Sequence, residues 1–136
     1  MQGMRSLFLA ALLFPAIAFL GCGGGGNSDE DQINSLLHSY IDYYIKSEPA
    51  QMYALLDAGS QQRCSEENFV SFISKARDAL GEREFKIEQV VNLVVEGDSA
   101  SATVIATVDG EEAGSTDNTL VKEDGEWKLK LPSVGC

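Results

Sequence analysis

At Phe85 the spacing of the apolar residues changes from about 3.6 to two. That switch restricts the chain to helices followed by strands. Before it, Ile33, Leu36, Leu37, Tyr40, Ile41 and Tyr44 recur at helical spacing and predict a first helix over about 29–47. Ser28, with Asp31 three residues on, has the form of a cap, and Asp29, Glu30 and Asp31 suit the positive end of a helix dipole. Pro49 ends this helix and opens a short second one carrying Met52, Leu55 and Leu56, with Gly59 as its stop. Ser65 caps a third, in which Phe69, Phe72, Ile73, Ala76 and Leu80 form one stripe and Gly81 ends it.

After the switch, Phe85, Ile87, Val91, Leu93 and Val95 alternate with Lys86, Glu88, Asn92 and Glu96, although Val90 and Val94 break the polar face. Gly97-Asp98 turns the chain. Ala100, Ala102, Val104, Ala106 and Val108 then alternate with Ser101, Thr103 and Thr107. Residues 109–114 read as an acidic loop and 115–123 as a third strand. Asp124-Gly125 is a tight hairpin turn, and a fourth strand over 126–131 sets Trp127, Leu129 and Leu131 on one face. The expected class is α+β: three N-terminal helices packed on a curved antiparallel four-stranded sheet, in one domain over 29–136.

The N-terminus has a different character. Arg5 precedes an apolar run of 14 residues, Leu7 to Leu20, interrupted by Pro15. A spanning helix needs about 20 apolar residues, so the run has signal-peptide dimensions. It ends in Phe19-Leu20-Gly21-Cys22, which resembles the bacterial lipobox while departing from it at Phe19 and Leu20. The resemblance implies cleavage of a signal peptide over 1–21 and a thioether-linked diacylglycerol on Cys22. Gly23 in place of Asp implies outer-membrane sorting where the host has two membranes. Residues 22–28, with Gly23 to Gly26, form a flexible tether.

Charge narrows the partners. The chain carries 10 basic and 21 acidic residues, a net −11. Loss of residues 1–21 removes only Arg5, leaving nine against 21, a net −12. Such a surface repels phosphate backbones and anionic headgroups, which argues against nucleic acid and makes a covalent membrane anchor more necessary.

Two segments carry a second resemblance, residues 94–104 (Val-Val-Glu-Gly-Asp-Ser-Ala-Ser-Ala-Thr-Val) and 120–129 (Leu-Val-Lys-Glu-Asp-Gly-Glu-Trp-Lys-Leu). With the amphipathic first helix and the Pro-started second, they resemble the nuclear transport factor 2-like superfamily, and within it the short bacterial lipoproteins. The resemblance covers about 29–131. It implies a bent sheet wrapped round a long helix into a cone whose mouth can hold a small apolar ligand. Activities on that fold range from isomerases to scaffolds, so the fold alone selects none.

Catalytic members of that superfamily, ketosteroid isomerase-like and polyketide cyclase-like, place an acid or a His-Asp pair inside the cone. Here the single histidine, His38, and Asp42 fall on the polar side of the first helix, and no residue matches a catalytic motif. No His cluster or Cys-x-x-Cys suggests a metal, and Asp109, Glu111, Glu112 and Asp117 lack calcium-loop spacing. No cofactor is expected. Tyr40, Tyr44, Met52, Phe69, Phe72 and Trp127 are bulky enough to line a cone interior or simply to fill it.

Once Cys22 is lipidated, Cys64 and Cys136 remain. Outside the cytoplasm they either pair, closing a loop of about 70 residues worth about 4 kcal/mol in chain-entropy terms, or stay separate thiols. The expected function is a lipid-anchored extracytoplasmic binding or accessory domain of the cell envelope, holding a partner protein or a small apolar ligand. The alternative is an enzyme that uses the cone interior.

Overall fold

The computed structural model describes residues 28–132 and 136. The expected signal peptide over 1–21, the lipidation candidate Cys22 and the expected tether up to residue 27 lie outside the described residues.

Four helices precede four strands: α1 (Asp29–Ile45), α2 (Pro49–Ala54), α3 (Ala58–Arg63), α4 (Glu66–Leu80), β1 (Phe85–Glu96), β2 (Ser99–Val108), β3 (Glu111–Glu123) and β4 (Glu126–Lys130). Ser28 caps α1 by accepting from the Asp31 N–H at 3.2 Å. The end of α1 turns at Ser47, whose φ is +57°, with the Glu48 N–H returning to the Tyr43 carbonyl at 2.8 Å.

The helix count corrects the expectation of three. Gly59 does not stop α2; it lies inside the extra helix α3. Asp57 starts that helix, its Oδ1 accepting from the Ser60 N–H at 3.1 Å. Periodicity gave no warning, because Ala-Gly-Ser-Gln-Gln-Arg has no apolar stripe.

The sheet is antiparallel in the order β1-β2-β3-β4. Two details depart from the expected pattern. First, register shifts between Ile87/Gln89 and Val91/Val94 each insert one extra residue into β1. Ile87, Val90, Leu93 and Val95 therefore pack on the core, while Val91, expected inward, lies opposite Thr103 on the outer face. The bulges account for Val90 and Val94, which no single alternation could place. Second, the expected acidic loop over 109–114 is mostly strand. Asp109-Gly110, with φ of +54° and +81°, is a two-residue hairpin turn, and β3 begins at Glu111.

The core forms between the helices and the inner face of the sheet. Ile33, Leu36, Leu37, Met52, Leu56, Phe69 and Ile73 meet Ala100, Ala102, Val104, Leu120, Trp127 and Leu129. Trp127 also donates its indole N–H to Asp29 Oδ1 at 3.0 Å, and Lys122 Nζ reaches the same oxygen at 2.9 Å. The first turn of α1 is thereby fastened to the β3–β4 hairpin.

Candidate functional site

β4 is held on both sides. Its outer flank takes the chain that links α2 to α3: the Asp57 N–H donates to the Leu129 carbonyl and the Leu129 N–H to the Leu55 carbonyl, both at 2.9 Å. The Leu131 N–H then goes to Ser60 Oγ at 2.9 Å, and Arg63 donates to the Leu131 carbonyl at 3.1 Å. On its other flank, β4 pairs with β3 only from Thr119↔Lys130 to Glu123↔Glu126. Carried two residues further, that register would set Pro132 opposite Asp117, and proline has no N–H to donate. The ladder stops there, and a cavity opens where β4 leaves β3.

This cavity has a volume of about 270 Å³. Tyr40 of α1 and Phe69, Phe72 and Ile73 of α4 form one wall, and Leu129, Leu131 and Pro132 another. Thr116, Asp117 and Asn118 of β3 border its open side, and Cys136 completes the lining. It lies just under the roughly 300–1,000 Å³ of pockets for drug-sized ligands, so an occupant is small. On the other side of Lys130 to Pro132, Arg63, Asp117 and Thr119 border a more polar, open cleft of about 370 Å³.

Of the six bulky residues singled out in the sequence, Tyr40, Phe69 and Phe72 line the cavity. Phe72 remains 53% exposed at its rim. Met52 and Trp127 are buried in the core instead, and Tyr44 packs edge-on against Phe85 at 5.7 Å, with the Arg77 guanidinium 5.9 Å from its ring centre. Sequence reasoning missed the strand residues of the lining. Their signal depends on where β4 stops, which the Pro132 position could have indicated.

The structure joins Cys64 and Cys136 in a disulfide, with 5.8 Å between their Cα atoms. Cys64 is buried, and Tyr53 secures its backbone by donating its hydroxyl to the Cys64 carbonyl at 2.8 Å. The bridge thus brings the chain's last residue to the cavity wall.

The electrostatics of the cavity are quiet. Burial pushes the Tyr40 hydroxyl up to about 12, so it remains a neutral hydrogen-bond donor at physiological pH. Among the described residues it has no hydrogen-bond partner. Asp117 is exposed and accepts from the Thr103 hydroxyl at 2.7 Å on the outer face of the sheet. His38 is exposed on α1 in a shallow groove with Ile41, Asp42 and Lys86, away from this cavity. Asp42 binds Lys46 at 2.6 Å. Among the described residues, no group of three or more His, Cys, Asp or Glu could hold a metal.

No protein-family model and no curated protein matches the sequence. Solved structures do. An NTF2-like candidate transpeptidase from Campylobacter jejuni matches with a TM-score of 0.55 at 14% identity, covering 74% of this chain and 98% of that one. Aln2 from a Streptomyces species matches with a TM-score of 0.53 at 14% identity, covering 76% and 88%. An NTF2-like protein of unknown function from Shewanella oneidensis matches with a TM-score of 0.50 at 14% identity, covering 75% and 94%. At such identity the likeness concerns the fold alone, and the fold is NTF2-like.

Proposed function

We propose that this NTF2-like domain is a non-catalytic binding module, tethered by lipid on Cys22 outside the cytoplasm, whose cavity takes a small apolar group. The observation that carries the reading is the cavity's composition. Tyr40, Phe69, Phe72, Ile73, Leu129 and Leu131 supply apolar area for an occupant. Acid–base chemistry needs a group that changes protonation near neutral pH within reach of a substrate. The cavity's carboxylate, Asp117, is exposed and already engaged by Thr103, and its phenol holds its proton.

The envelope address rests on the sequence before Ser28 and is supported by the disulfide, which persists in oxidising compartments. Two measurements test the reading. In a ¹⁵N-labelled soluble fragment starting at Ser28, 1-octanol should shift the resonances of Tyr40, Phe69 and Ile73, and Ile73→Glu should remove the response. Shifts scattered over the surface would defeat the cavity reading. In cells, Cys22→Ala should leave an unprocessed chain or move the protein to the soluble fraction; a cleaved, membrane-bound Cys22→Ala product would defeat the anchor.

A further inference from the structure

β3 is longer than its partner. β2 pairs along it from Glu111 to Val121, but β4 covers only Thr119 to Glu123. Among the described residues, no strand lies beside positions 111–118 on the β4 side. The direction of the backbone groups there follows from the ladder. The Lys122 N–H donates to the Asp98 carbonyl at 2.8 Å, on the β2 side. Hydrogen-bonding direction alternates along a strand. Even positions of β3 therefore face β2, and Ser115 and Asp117 present their N–H and C=O groups to the open edge. The bulge between Ala106↔Gly114 and Thr107↔Glu112 limits the regular edge to residues 115–118.

Two recesses flank this same edge. The apolar cavity borders Thr116 to Asn118 on the inner side, and the polar cleft borders Asp117 and Thr119 on the outer side. An extended peptide sends successive side chains to opposite faces. An open ladder with an apolar recess on one face and a polar one on the other matches the requirements of strand addition, in which main-chain bonds give affinity and alternate side chains give specificity.

We propose that the edge at Ser115–Asn118 binds an extended segment of a partner protein as an added strand. Its inward side chain is apolar and enters the cavity beside the exposed ring of Phe72. Its outward side chains are polar, with basic residues toward Glu111, Glu112 and Asp117. The charge selects this occupant over a second copy. Two copies paired edge to edge would bring two sets of these carboxylates together, and like charges across a ladder are destabilising. The proposal rests on the binding reading in one respect, the use of the cavity for the inward side chain.

The probe is an acetylated, amidated heptapeptide, Thr-Leu-Thr-Val-Lys-Val-Lys, with the fragment starting at Ser28. Saturation should slow amide exchange at Ser115 and Asp117 by about tenfold or more. Ser115→Pro removes one edge donor without touching the β2 ladder, and it should weaken the peptide about tenfold. Asp117→Lys should weaken it less, by about threefold at low salt. Asn118→Pro interrupts the β2 ladder itself and controls for loss of fold. Binding unchanged by Ser115→Pro, binding without new protection, or no binding overturns the proposal. Self-association abolished by Ser115→Pro would give the edge to a second copy and overturn it as well. 1-Octanol separates the two readings: if it still fills the cavity when the peptide fails, only the edge falls, and if neither binds, both fall.

Discussion

The two halves of β3 are built for opposite ends. From Thr119 to Val121 the strand is paired on both sides, Leu120 is 0% exposed, and Lys122 and Trp127 hold Asp29 of α1. From Glu111 to Asp117 it is paired on one side and every residue is exposed. One half commits its side chains to packing; the other leaves backbone groups and two recesses available. On the proposed reading, cohesion and binding are separated along a single strand, so each can be perturbed without the other.

The disulfide tests whether that separation is complete, because it stabilises the whole chain from the wall of the cavity. Its ends are 72 residues apart in sequence. Reduction, or Cys64→Ala with Cys136→Ala, should cost up to about 4 kcal/mol in denaturant unfolding. A loss well under about 1 kcal/mol would mean that the C-terminal residue contributes little to holding the open half in place.

Leu120→Ala sharpens the contrast directly. Deleting a fully buried leucine side chain costs about 2–5 kcal/mol through lost burial and a residual cavity. Thr116→Ala, four residues away on the exposed half, should stay within about 0.5 kcal/mol. Similar losses at the two sites, read from chemical-denaturation midpoints, would break the comparison.

The closed half was legible in the sequence, and the open half much less so. The Ala100 to Val108 alternation and the Asp124-Gly125 turn mark strands with one buried face, where burial imposes the pattern. Glu111 to Asp117 has no buried face, so no alternation marks it, and its first part, Glu111 to Gly114, looks like loop even though Asp109-Gly110 is a hairpin signal; the strand is legible only from residue 115. The β1 bulges were hidden for a related reason: Val90 and Val91 are adjacent valines on opposite faces, and a sequence does not say where a register slips. Tyr40, Phe69 and Phe72 could be read as bulky residues on helix stripes. Their meeting with Thr116 to Asn118 could not, because it depends on Ser60 and Arg63 drawing Leu131 away from β3.

Tyr40 gives the cavity a signature in alkali. Its folded value is raised to about 12 from an ordinary 10.0, by burial. A raised value favours the protonated form in the fold, so this contribution is full below about pH 10 and is lost as the pH rises through about 12. Tyr40→Phe should flatten the alkaline limb of the stability curve. An unchanged limb, with phenolate absorbance appearing near pH 10 for every tyrosine, would show that Tyr40 is not held against the core.

The smallest expected effect lies at the packed end of β3 and fades as the pH falls. Asp29 titrates below its ordinary 3.8 because Lys122 and the Trp127 indole both donate to it, opposed by a smaller cost of burial. A lowered value favours the charged form in the fold. The contribution is therefore present above the unfolded value, near pH 4, and is lost as the pH falls through the lower folded one. Asp29→Asn should remove that part of the acid limb while leaving the alkaline limb set by Tyr40 in place. Trp127 fluorescence reports the event from inside the contact. Peptide or octanol binding at the far half of β3 should be unaffected at neutral pH, because Asp29 fastens only the half that packs. A variant that weakened both the latch and the cavity would show the two halves to be one cooperative unit, and the separation argued from their pairing would fail.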